Sequence, residues 1–211
     1  MWQACRGRCD ECTLSSPTGP GRRESHALSS RRSDSRLAPF TLAPPIAMTD
    51  LRLALYQPDI PQNTGTLLRT AACLGIAVDL IEPAGFAVTD RNLRRAGMDY
   101  LDAAVLTRHI GWTAFEAERR ARRRRLVLLT TRGETAYLDF AFRADDVIMV
   151  GRESAGVPDE VHAGADARLL VPMLPGRRSL NVAVAAVMVV GEALRQTRGF
   201  PPHAPLPGDA P

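Results

Sequence analysis

One stretch restricts the fold more than any other. Residues 182–190, Val-Ala-Val-Ala-Ala-Val-Met-Val-Val, carry no charge, and the next charged residue is Glu192. A helix apolar on every side is expected to be buried all round, in a core, at a subunit interface or in a membrane. The charge-free run is shorter than the roughly 20 residues a bilayer requires, and Gly191-Glu192 ends it. A core or interface helix is therefore expected. Before it come a short apolar strand, Leu169 to Met173, and a polar link, Leu174-Pro175-Gly176-Arg177-Arg178. Ser179 is expected to cap the helix, because its hydroxyl accepts an N–H that the first turn leaves free. The two arginines beside Ser179 and Asn181 point to a site at the helix's N-terminal end.

The preceding chain alternates strands and helices. Leu51 to Tyr56 reads as a strand, broken by Pro58 and Pro61. Asn63-Thr64-Gly65 is expected to open a helix ending near Leu74-Gly75, with Leu67, Leu68, Ala71 and Leu74 in one stripe and Arg69 opposite. Ala77 to Ile81 reads as a strand and Asp90 to Ala96 as a helical turn. Ala103 to Leu106 is a short strand, and Trp112 to Arg125 a helix with an arginine-rich end. That end is either a solvated terminus, favoured by the macrodipole, or a patch for phosphates. Leu126 to Leu129 and Asp146 to Val150 are continuous apolar runs, the pattern of buried parallel strands. The whole is an α/β fold, and ligands in such sheets sit beyond the strands' carboxyl ends.

Residues 1–47 differ. They are rich in Ser, Pro, Gly and Arg and lack a sustained apolar period, so they read as disordered, or as an extension ahead of a true start at Met48. Residues 48–200 form the expected domain and 201–211 a Pro-rich tail. All 27 basic residues are Arg, and the first 47 residues hold 7 of them against 4 acidic residues. The high isoelectric point therefore says little about the core, and only local patches argue for nucleic acid. No secretory leader or membrane span is evident, which leads us to expect a cytoplasmic protein with no membrane partner.

Conventional chemistry motifs are missing. The sequence has no Gly-x-Gly-x-x-Gly after the first strand, no phosphate-binding Walker loop and no Gly-x-Ser-x-Gly elbow. The four His are scattered without metal-ligand spacing, so no metal is expected. Cys5, Cys9 and Cys12 have the spacing of three iron–sulfur ligands, but they stand in a segment with no flanking core. What remains is the turn Gly151-Arg152-Glu153-Ser154-Ala155-Gly156 after a strand, beside the long helix. Glycines there let backbone amides approach a ligand closely.

Three blocks resemble the SPOUT class of RNA methyltransferases, most nearly the TrmL type that methylates the wobble ribose of tRNA. They are Asn63-Thr64-Gly65 with Arg69; Gly151 to Pro158; and Val171-Pro172-Met173 with Arg178-Ser179-Leu180-Asn181. The resemblance runs from about Leu51 to Phe200. It implies a parallel-sheet fold with a C-terminal deep trefoil knot, one of the rare exceptions to unknotted chains. It also implies a homodimer, S-adenosyl-L-methionine as methyl donor, and tRNA as partner. Leu129, Gly151, Val171 and Ser179 are similar to the family's cofactor-contacting positions, with Thr130 and Leu180 as neighbours. Arg69, Asn63, Ser179 and Asn181 are the implied catalytic residues, and Arg94, Arg95 and Arg152 the implied RNA contacts.

The sulfonium donor is already activated, so positioning and exclusion of water account for much of such a rate. Arg69 is a poor base because it stays protonated, and is expected to orient the hydroxyl or stabilise developing charge. Asn63 is expected to cap its loop, and Glu153, Ser179 and Asn181 to form a polar network. Three other readings remain open: a ribosomal-RNA 2′-O-methyltransferase, a non-catalytic RNA-binding factor, and an iron–sulfur enzyme.

Overall fold

The computed structural model describes residues 49–87 and 105–202. The expectations placed on residues 1–47, on Cys5, Cys9 and Cys12, on the turn at 90–96 with Arg91, Arg94 and Arg95, and on the tail from 203 lie outside the described residues.

Within them, β1 (Arg52–Tyr56) leads into α1 (Pro61–Leu74), followed by β2 (Ala77–Ile81) and β3 (Leu106–His109). Then come α2 (Trp112–Ala121), β4 (Leu126–Leu129), the two-residue β5 (Thr135–Ala136) and β6 (Val147–Val150). The chain continues through α3 (Asp159–Gly164), β7 (Ala167–Leu170) and α4 (Val182–Thr197). The strands form one sheet in the order β3-β2-β1-β6-β4-β7-β5, and every pairing is parallel.

A parallel sheet is covered on both faces, so its central strands β4 and β6 are apolar throughout. Strand residues alternate in direction, and two cores result. Leu53, Leu55, Val127, Ile148, Val150 and Leu169 face α1 and α4. Ala54, Tyr56, Leu126, Leu128, Val147 and Met149 face the opposite way, onto Phe115 of α2 and Val161 of α3. The apolar stripe expected on α1 is there: Leu67, Leu68 and Ala71 are buried, Leu74 packs against them, and Arg69 is exposed.

Six local expectations are corrected. Strand β3 runs Leu106–His109 and does not end at Leu106. Helix α1 begins at Pro61, not Asn63. A proline suits the first helical position, because its absent N–H would have had no partner there. Helix α2 stops at Ala121 rather than Arg125, and Arg123 is left-handed at φ 54°. Strand β7 covers Ala167–Leu170 rather than Leu169–Met173, because its ladder with β4 pairs Val127 with Ala167 and Leu129 with Leu169. Helix α4 is capped by Asn181, not Ser179. Nor is α4 buried all round in the single chain. Ala183, Ala186, Val189, Val190, Ala193 and Leu194 are buried, but Val184, Val187 and Met188 are 53%, 37% and 40% exposed.

The arginine-rich end of α2 turns inward. Arg119 is buried and bonds Glu116 at 2.7 Å and Asp166 at 3.0 Å. Arg125 grips the fully buried Asp146 at 2.7 Å, Arg122 pairs with Glu118, and Arg124 with Asp50. Arg119 and Arg125 thus tie this end of α2 to neighbouring segments, an arrangement that neither expectation contained, while Arg120 and Arg122 remain exposed.

Candidate functional site

The parallel register puts the carboxyl ends of three strands side by side. Leu129 stands beside Val150 and beside Leu169. The chain leaves all three strands at the same edge, and a cavity of about 830 Å³ opens there. Its wall takes Leu128 to Thr131 after β4, Val150 to Glu153 after β6, and Leu170 to Val182 between β7 and α4. Ile60 and Asn63 close it from the side of α1. Such a volume suits a small organic ligand.

A chain of directed hydrogen bonds crosses the mouth. The Asn181 carbonyl oxygen accepts the Ala183 N–H at 2.9 Å and the Val184 N–H at 3.2 Å, which satisfies two donors at the start of α4. That fixes which way its amide points, so its NH₂ donates to the Asn63 carbonyl oxygen at 3.0 Å. The Asn63 NH₂ must then point outward, and it donates to the Glu153 carboxyl at 3.0 Å. Glu153 accepts the Asp59 N–H at 3.1 Å, and its own N–H donates to the Asp59 carboxylate at 3.1 Å. Burial, and then the hydrogen bond shared with Asp59, lift the Glu153 carboxyl above the usual carboxylate range. That same shared bond, with the Ser154 hydroxyl and N–H, holds Asp59 below it.

The turn after β6 is closed by its own backbone. Arg152 and Gly156 exchange N–H···O bonds at 3.0 Å and 2.9 Å. Gly156 is left-handed at φ +66°. A Cβ on Gly151 would stand 2.6 Å from the Gly156 carbonyl carbon, so only glycine lets the turn fold back this closely. The Nε of Arg152 is buried without a hydrogen-bond partner, and Arg152 is part of the cavity wall.

Leu129, Thr130, Gly151, Val171, Ser179 and Leu180 all line this one cavity, as do Asn63, Arg152 and Asn181. Arg69 does not; it is exposed on α1, outside the lining. Arg94 and Arg95 lie outside the described residues. Two roles change. Asn63 does not cap a helix but links Asn181 to Glu153, and the polar network runs through Asn63 rather than Ser179. Asp59 is the residue that sequence reasoning missed. Its only mark is to be an acid between Pro58 and Pro61, in a segment read merely as a strand break.

Residues 50–191 match the SpoU rRNA Methylase family. The chain belongs to this family. A relative from Beijerinckia indica subsp. indica, named tRNA (cytidine(34)-2'-O)-methyltransferase, is 64% identical over 68% of this chain and 90% of its own length. One from Escherichia coli (strain K12), of the same name, is 41% identical over 72% and 96%. A solved structure described as structural insights into the 2-OH methylation of C/U34 on tRNA shares 42% identity, with a TM-score of 0.66 over 71% of this chain and 97% of that one. In this SpoU methylase the cavity and the glycine-bounded turn after β6 share one edge of the sheet, at the ends of β4, β6 and β7.

If Asn181 both caps α4 and orients Asn63, its two substitutions should separate these roles. Asn181→Ala should lower stability by about 1 kcal/mol in urea unfolding, and Asn181→Asp, which keeps the cap but cannot donate to Asn63, should lower it by less.

Proposed function

We propose that this chain transfers the methyl group of S-adenosylmethionine to the ribose 2′-hydroxyl of the wobble nucleotide, position 34, in the tRNA anticodon loop. The observation that carries the reading is the coincidence of a relative of 64% identity named for that activity with one cavity lined by all six residues expected to hold the cofactor. The cavity suits that group. It has the volume, it has apolar wall at Leu128 and Leu180 for a flat ring, and it has an orphaned Arg152 donor for an acceptor atom. Bound there, S-adenosylmethionine supplies an activated methyl on a sulfonium.

The chain's residues then have three tasks. Backbone groups after β4, β6 and β7 hold the donor and keep water away. The Asn181–Asn63–Glu153 chain shapes the mouth where a ribose enters. Arg69 orients the target nucleotide through a phosphate or stabilises charge developing on the hydroxyl oxygen. Arg94, Arg95 and Arg152 add RNA contacts. A second reading, ribosomal RNA as substrate, draws support from the family description; the relatives of 64% and 41% identity favour tRNA.

Two architectural features complete the proposal. Strands β6 and β7 each enter the sheet between strands laid down earlier in the chain, which supports a trefoil knot in the C-terminal part. A chain trace in which residues 171–197 pass no loop would overturn it. The exposed Val184, Val187 and Met188 on α4, with Leu180 and Leu174 nearby in sequence, support a homodimer through that apolar face.

Mass mapping of nucleosides in tRNA and ribosomal RNA, from cells with and without the protein, tests the substrate. The 2′-O-methyl group at position 34 should vanish with the protein and should not return with Arg69→Ala, whose cofactor affinity should stay near wild type. Gly151→Ala should weaken S-adenosylmethionine binding at least about tenfold in calorimetry, because the added methyl forces the turn open. Val187→Arg should convert a dimer to monomer in sedimentation; a monomeric wild type would overturn the dimer.

A further inference from the structure

Asp59 lies in the loop between β1 and α1, and nothing in the assignments above gives it a task. Its surroundings are unusual for a loop acid. Its N–H is taken by Glu153 at 3.1 Å while its carboxylate takes the Glu153 N–H at 3.1 Å. The same carboxylate also accepts the Ser154 N–H at 3.3 Å and the Ser154 hydroxyl. Among the described residues, every donor to the two carboxyls is neutral: backbone N–H groups, a hydroxyl and the Asn63 amide. A surface clip would need one such bond. Here two backbone segments, 94 positions apart, are closed into a ring by both residues at once.

The ring joins the two sides of the candidate site. Glu153 belongs to the turn that follows Gly151, and Asp59 precedes the helix that carries Asn63 and Arg69. Without the Asp59 carboxylate the Glu153 N–H, the Ser154 N–H and the Ser154 hydroxyl would lose their acceptor. The Glu153 side chain would keep the Asn63 amide and the backbone N–H of residue 59, so one half of the ring alone would hold the loop into α1 against the turn. The turn itself would keep its shape, since the Arg152–Gly156 exchange is independent of Asp59.

We propose that Asp59 is a positioning residue for methyl transfer: by its reciprocal hydrogen bonds with Glu153 it sets the register between α1, on the side of the entering nucleotide, and the donor-holding turn after β6. A small misplacement of reacting groups costs far more in turnover than in ground-state binding. The role rests on the methyl-transfer reading above, so its test has an arm that needs no activity.

Amide hydrogen exchange on the full chain without ligand compares wild type, Asp59→Ala and Asp59→Asn. In Asp59→Ala the amides of 153–154 and of the first turn of α1 should exchange together, at least about tenfold faster, with β1 and β6 unchanged. Kinetics with tRNA should show kcat reduced by about tenfold to hundredfold and the KM for S-adenosylmethionine within about threefold of wild type. Asp59→Asn keeps an acceptor for the Glu153 N–H and should recover part of the loss. Unchanged exchange at α1, a wild-type kcat in Asp59→Ala, or a loss confined to the cofactor KM overturns the proposal. A wild-type chain that methylates no tRNA overturns the functional reading instead, and the exchange arm still decides the clamp.

Discussion

Everything at the site depends on the parallel register of three adjacent strands. Leu129, Val150 and Leu169 stand abreast, so three chain exits open at one height on one edge of the sheet. In an antiparallel arrangement neighbouring strands would leave at opposite ends, and their loops could not converge. The two cores that cover the sheet are what keep that register. A one-residue slip of β6 would turn Ile148 and Val150 away from α1 and α4 and expose the wrong face to each helix layer.

On that edge, a second constraint acts. Each side-chain amide in the Asn181–Asn63–Glu153 chain has its direction set by the one before it. The start of α4 fixes Asn181, Asn181 fixes Asn63, and Asn63 leaves Glu153 to meet Asp59. The helix end is thus tied to the turn after β6 and to the loop before α1 by polar contacts that work in one orientation only. Such a network specifies geometry more than it adds stability, which is what a reaction governed by alignment requires.

Much of this was legible beforehand. The apolar runs at 126–129 and 146–150 identified buried parallel strands, the second of which begins at Val147, and the stripe on α1 placed Arg69 on the exposed side. The residues expected to hold a cofactor do meet in one cavity. Capping was misread, because Ser179 and Asn181 are both good caps by type and only the backbone decides which one stands at the turn. The end of α2 differs in extent, because composition does not show that Arg119 and Arg125 have acids to meet, the exposed Asp166 and the buried Asp146.

By itself the sequence determined the layer architecture and the kinds of residue available at the strand ends, because apolar periodicity and glycine placement are local and leave their pattern in the chain. Only the tertiary structure decided who meets whom. Asp59 and Glu153, Asn63 and Asn181, and Arg125 and Asp146 are distant in sequence. Their pairings follow from strand order and helix docking, and no local spacing encodes them. The exposed stripe on α4 belongs to the same class: residues 182–190 are uniformly apolar as a string, and only the docked helix distinguishes the face that meets the sheet from Val184, Val187 and Met188.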